Sequence, residues 1–173
     1  MTADHDVDPH AEVRAALALC WLWGQRLVRA RRRALGLLPT SPDRLTRLGR
    51  EDEERLGALL FCLGAAVTAL IEEVMEPVLL AEHSLILLLD VADDLRALEA
   101  TGAIASAEAV LALRERVWRH YRIPALAPEP RVAALNQAWA DGQAMAEILT
   151  GLSRHIQRKG LVPGLRPFGK GPP

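Results

Sequence analysis

Arg114, Arg116, Arg119, His120, Tyr121 and Arg122 crowd the end of the stretch SAEAVLALRERVWRHYRIP, residues 106 to 124. They set permanent cations beside the one side chain that titrates near neutral pH. A histidine so placed can take the proton of a ribose 2′-hydroxyl while arginines stabilise the charged phosphorane, the parts of a metal-free ribonuclease step. His120 is the candidate general base or acid, Arg114 and Arg116 are candidate phosphate stabilisers, and Arg119 and Arg122 are candidate RNA contacts. On a continuous helix Arg116 and His120 share a face, with Arg114 about a third of a turn away. The same cations also read as a solvated helix end that complements the helix dipole.

Two other constellations offer chemistry. Glu72, Glu73 and Glu76 form EExxE, and Asp90, Asp93 and Asp94 follow on the next expected helix. Two such helices packed antiparallel could hold magnesium through oxygen ligands. The pattern resembles the MazG-like all-α nucleotide pyrophosphohydrolases, with Asp90 where glutamate is usual and Pro77 directly after Glu76; the other reading is a set of solvated acids. Arg26, Arg29, Arg31, Arg32 and Arg33 form a basic run, either a phosphate or RNA contact or a solvated face. Trp21, Trp23 and Trp139 lie in apolar helical runs and read as packing residues rather than a base-stacking platform.

The elements that must position these groups are helices. The 173-residue chain is about one domain's worth. Half its residues are apolar, only 4% are aromatic, and Ala, Leu, Arg and Glu dominate, which gives an all-α expectation. A formal net charge of −1 leaves no global field to recruit nucleic acid, so an anionic partner needs a local cluster. Cys20 and Cys62 have no CxxC spacing and read as buried thiols. The acidic N-terminus carries no signal-type cleavage pattern. With sixteen uncharged residues between Arg55 and Glu72, slightly short of a span, a buried core helix is expected there and no membrane partner.

In order, residues 1–8 read as a disordered tail and 9–159 as one helical-bundle domain. Helix one runs from about Pro9 to Leu35 and stops at Gly36; Ser41, Pro42 and Asp43 open a helix that Gly49 interrupts. A central helix covers about Glu51 to Glu76, with Pro77 to kink or end it and a turn to Leu80. The next begins at Glu82 or Ser84 and ends at Gly102. Ser106 caps a helix that Pro124 closes, with Leu111, Leu113, Val117 and Trp118 as core candidates. The last runs from about Pro130 to Lys159, and 160–173 reads as a Gly/Pro-rich disordered tail. The expected architecture is an antiparallel up-and-down bundle of about five helices.

LLDVADDLRALEATGAI (88–104), SAEAVLALRE (106–115) and RVAALNQAW (131–139) resemble, in that order, the HepT-like proteins of the HEPN group, the higher-eukaryote and prokaryote nucleotide-binding helical domains. The resemblance covers roughly 100 residues, from about Leu56 to His155. It implies a homodimer, an Arg-x4-6-His ribonuclease signature across the dimer interface, and a small nucleotidyltransferase partner that can modify a signature tyrosine. Carried over without a gap, the signature falls on Val117, Trp118, Arg122 and Pro124. Shifted, Arg114 and His120 satisfy the looser form, with Tyr121 as the candidate tyrosine, and the signature asparagine is absent. The implied setting is a cytoplasmic toxin-antitoxin or nucleotidyltransferase-associated pair with RNA as substrate, no metal and no cofactor; a non-catalytic helical interaction module is the alternative.

Overall fold

The computed structural model describes residues 9–82 and 90–169. The expected start at Ser84 and the ends of both tails lie outside these. Among the described residues every regular element is helical, as the abundance of strong helix formers requires. Helix α1 spans Pro9–Ala34, and a short α2 spans Pro42–Leu45. One continuous helix then runs as α3, Arg50–Thr68, a π-helical stretch, Ala69–Val74, and α4, Met75–Ala81. After it come α5, Val91–Thr101, α6, Ala107–Val117, a 3-10 turn, His120–Ala125, and α7, Pro128–Lys159.

Three long helices make the frame. Trp23 of α1 meets Phe61 of α3, and Arg31 of α1 stacks on Trp139 of α7 while Gly24 lies against Leu149. These pairings run α1 antiparallel to both partners. Glu53 pairs with Arg131, and Glu82 with His155, so the 50–81 helix and α7 lie parallel. Leu17, Leu27, Leu59, Leu63, Leu70, Leu135, Met145, Leu149 and Leu152 are fully buried between them. At about 1.5–3 kcal/mol for each large apolar side chain removed from water, this seam dominates the stability of the fold. The 50–81 helix is also long and apolar enough to cross a membrane, and half of its most apolar stretch is buried in this core.

Chain punctuation follows the residue types. Gly36, Gly102 and Gly160 take positive φ values of 86°, 78° and 65° at helix ends, a region that costs glycine nothing. The Ser106 hydroxyl accepts from Ala109 N at 3.1 Å as the cap of α6. Asp90 does the same for α5, accepting from Asp93 N at 2.9 Å. Asn136 fastens the α1–α2 loop to α7: its side chain accepts from Thr40 N at 2.7 Å and donates to Thr40 O at 3.0 Å.

Several expectations need correction. Pro77 neither ends nor breaks the helix, which continues to Ala81. The π stretch changes the hydrogen-bond register just before it, so Pro77 occupies the first turn of a restarted α segment, where no N–H is required. Helix α6 stops at Val117, and the chain then tightens into the 3-10 turn, where Pro124 cannot donate to the carbonyl of His120 and disfavours α-helix at Ile123. Trp118, a core candidate, is consequently 66% exposed. The Ser41 hydroxyl makes no capping bond. Residues 161–169 depart from the disordered tail expected of them: Leu161, Val162 and Phe168 are buried. Phe168 packs on Trp21, with ring centroids 5.5 Å apart, and its backbone N donates to Ser153 Oγ at 2.9 Å.

Candidate functional site

Because α6 ends at Val117, Arg116 and His120 belong to different elements, the helix and the 3-10 turn after it. Both nonetheless face α7. Arg116 grips the Asp141 carboxylate, with Nε at 2.9 and 3.1 Å from its two oxygens and Nη2 at 2.8 Å from Oδ1. Asp141 is 2% exposed and also accepts from Gln137 Nε2, one turn earlier on α7, at 2.9 Å. A buried carboxylate is tolerated only with this degree of pairing. Hydrogen bonding to Asp141 pushes the Arg116 guanidinium pKa up against the opposing effect of its burial.

His120 sits beside this pair. Its side chain is buried, and Nδ1 is enclosed without a hydrogen-bond partner. Burial lowers its pKa below the usual 6.5; Asp141 acts in the opposite direction and Arg116 adds to the lowering. These effects together favour the uncharged imidazole over the imidazolium. It lines a cavity of about 320 Å³ with Arg116, Arg119, Arg122, Ile123 and Leu126.

The remaining site candidates divide. Arg119 pairs with Glu115 at 3.2 Å, and both are well exposed. Such a surface pair contributes little, so Arg119 is free to exchange Glu115 for a ligand. Arg122 Nε donates to the Tyr121 hydroxyl at 2.9 Å, and its guanidinium lies 5.4 Å from the Tyr121 ring centre. Tyr121 is 74% exposed. Arg114 turns away from His120, lying 5.8 Å from the Trp118 ring centre and lining a separate hollow with Glu115, Trp118 and Arg119. Within one chain, then, His120 gathers Arg116, Arg119 and Arg122, and not Arg114.

Asp141 and Gln137 are the members that sequence reasoning missed. The signal was present: Asp141 stands between Ala138 and Met145 at helical core spacing, and an acid on an apolar stripe demands a cation.

The acidic set has other work. Glu72, Glu73 and Glu76 are exposed, Asp90 caps α5, and Asp93 pairs with Arg96 at 2.6 Å. Asp94 has its pKa raised by burial first and then by Glu76, Asp90 and Asp93. Among the described residues no group of three or more His, Cys, Asp or Glu is placed to hold a metal ion. Cys20, expected as a buried thiol, is fully enclosed, and burial pushes its pKa up to about 12; Cys62 is only partly buried.

Comparison with known protein families, with curated proteins and with solved structures finds no match.

Proposed function

We propose that this chain is a HepT-like helical-bundle protein that engages RNA at the His120 pocket and cleaves it by proton transfer through His120. The observation that carries this reading is a buried histidine lining a cavity together with Arg119 and Arg122. In the proposed step the imidazole accepts the proton of a ribose 2′-hydroxyl. The 2′-oxygen forms a bond to phosphorus, the bond from phosphorus to the 5′-oxygen breaks, and the His120 imidazolium returns the proton to that leaving oxygen. Arg119 and Arg122 offset charge on the phosphate, and Arg116, held by Asp141, positions the turn that carries His120.

The reading includes a homodimer, in which a second copy adds cations to the pocket, and a small nucleotidyltransferase partner for which the exposed Tyr121 is the modification target. Purified protein incubated with tRNA should give fragments ending in 2′,3′-cyclic phosphate. His120→Ala should abolish them while keeping its helical circular dichroism. Undiminished fragments from that variant would remove His120 from the mechanism.

One observation favours a second reading, a non-catalytic interaction module. Beside its cations, His120 and Gln137, the pocket wall carries the apolar Ile123, Leu126 and Ala134, a surface suited to a partner's side chain. Stable association with a partner protein and no cleavage of any RNA would decide for it.

A further inference from the structure

The basic run of α1 does something the His120 pocket does not use. Arg26, Arg29 and Arg33 follow one another at spacings of three and four, so they share one face of α1. That face forms a wall of a cavity of about 700 Å³ between α1 and α3, whose other side carries Glu51, Glu54, Arg55 and Cys62. The acids are already engaged within α3: Glu54 pairs with Arg50 at 3.0 Å and Glu51 with Arg55 at 2.5 Å. Arg29 and Arg33 make no ion pair, hydrogen bond or ring contact among the described residues. The α1 wall therefore presents Arg29 and Arg33 without a direct partner, across the groove from acids that pair within α3.

Aromatic surface continues the cavity at the Arg26 end. The Arg26 guanidinium lies 4.7 Å from the Trp23 ring centre, and Trp23 meets Phe61 edge-on at 5.6 Å. Phe61 is 66% exposed, an unusual condition for phenylalanine, and Leu22 on the same side is 42% exposed. Unpaired guanidinium groups in a row beside an exposed aromatic ring suit a ligand with repeating phosphates and accessible π faces. A base-paired duplex hides those faces, and an acidic protein segment does not present one beside each charge as a nucleotide chain does.

We propose that the α1–α3 groove binds single-stranded nucleic acid, with Arg26, Arg29 and Arg33 on successive phosphates and Phe61 stacked on a base. This binding is separate from the chemistry at His120 and holds whether or not the chain cuts RNA. The test uses the full chain and a fluorescent 2′-O-methyl single strand of about 12 nucleotides, long enough for several contacts and unable to be cleaved through its 2′-oxygen. Anisotropy titrations at several salt concentrations give the slope of log affinity against log salt.

Arg29→Ala/Arg33→Ala should reduce that slope by about 1.4, since each single-strand phosphate contact is worth about 0.7. Phe61→Ala should weaken binding by roughly fivefold to 150-fold, the range for one lost stacked base, and leave the slope unchanged. An unchanged slope in the double arginine variant would overturn the site. Equal binding of a duplex with no effect of Phe61→Ala would overturn the single-strand assignment. A dinucleotide, too short to span the groove, separates the two proposals: groove variants should cut it as wild type does if the His120 reading holds. Groove binding without dinucleotide cleavage would remove that reading and leave this one intact.

Discussion

Asp141→Asn is the most informative single change. The substitution keeps the shape of the side chain, removes its charge, and replaces one acceptor oxygen with an amide that must face the Arg116 donors. In the native fold the Asp141 side chain is 3% exposed and Arg116 is 38% exposed, with Gln137 completing the acceptor's partners. Breaking a fully buried pair costs about 3–5 kcal/mol, much of it from the charge left behind. Here the charge left behind is Arg116, which reaches water, so solvent screening lowers the expected cost to about 2–3 kcal/mol. For a chain of this size that corresponds to a fall in Tm of about 5–10 °C. The change also acts on His120: Asp141 favours its imidazolium, so loss of the carboxylate should lower the His120 pKa further. Thermal melts followed by circular dichroism read the first effect, and NMR titration of the His120 ring protons reads the second. A Tm within about 1 °C of wild type, or a His120 pKa that rises, would refute the pairing and its electrostatic role.

Other expectations are simpler to state. His120 has a folded-state pKa below its unfolded value near 6.5, so below that pH the unfolded chain binds a proton that the folded chain resists. Its contribution should make stability fall as pH drops from 6.5 toward the folded pKa, and His120→Gln should flatten urea-denaturation stability across that window. Gly24→Ala would set a Cβ 2.5 Å from atoms of Leu149 and Phe168; overpacking of this kind costs about 1–3 kcal/mol, and limited proteolysis should cut the 161–169 segment faster. Asn136→Ala leaves Thr40 N and O without their side-chain partner, a loss of about 1–3 kcal/mol readable as a lower denaturation midpoint with unchanged m.

Local signals were legible and long-range ones were not. Composition gives the all-α class, and Ser106, Gly36, Gly102 and Gly160 mark helix ends because their chemistry acts within a turn of where they stand. Pro77 misleads because its effect depends on the register of the preceding π stretch, which no pattern of side chains announces. Pro124 misleads in the other direction: α6 ends at Val117, before the apolar periodicity does, and leaves Trp118 exposed. The 161–169 segment has no periodicity to read, and its place is set by the notch that Gly24 leaves for Phe168 on another helix. At the candidate site, the basic residues and His120 are visible as types, but which arginine meets His120 is decided by the buried Asp141 across the interface with α7. Spacing along the sequence offers Arg114 as His120's companion, whereas in the fold it is Arg116 that shares its cavity.

Proton transfer by His120 in the proposed RNA cleavage is tested most directly on a ribodinucleotide. Its slow conversion to a 2′,3′-cyclic phosphate and a free 5′-hydroxyl can be followed chromatographically for wild type and His120→Ala at equal folded concentration. Loss of a proton-transfer group of this kind lowers rate by about 100-fold to 10,000-fold, so the variant should fall to near the uncatalysed rate. Equal rates for the two proteins, or no cyclic phosphate from wild type, would contradict it.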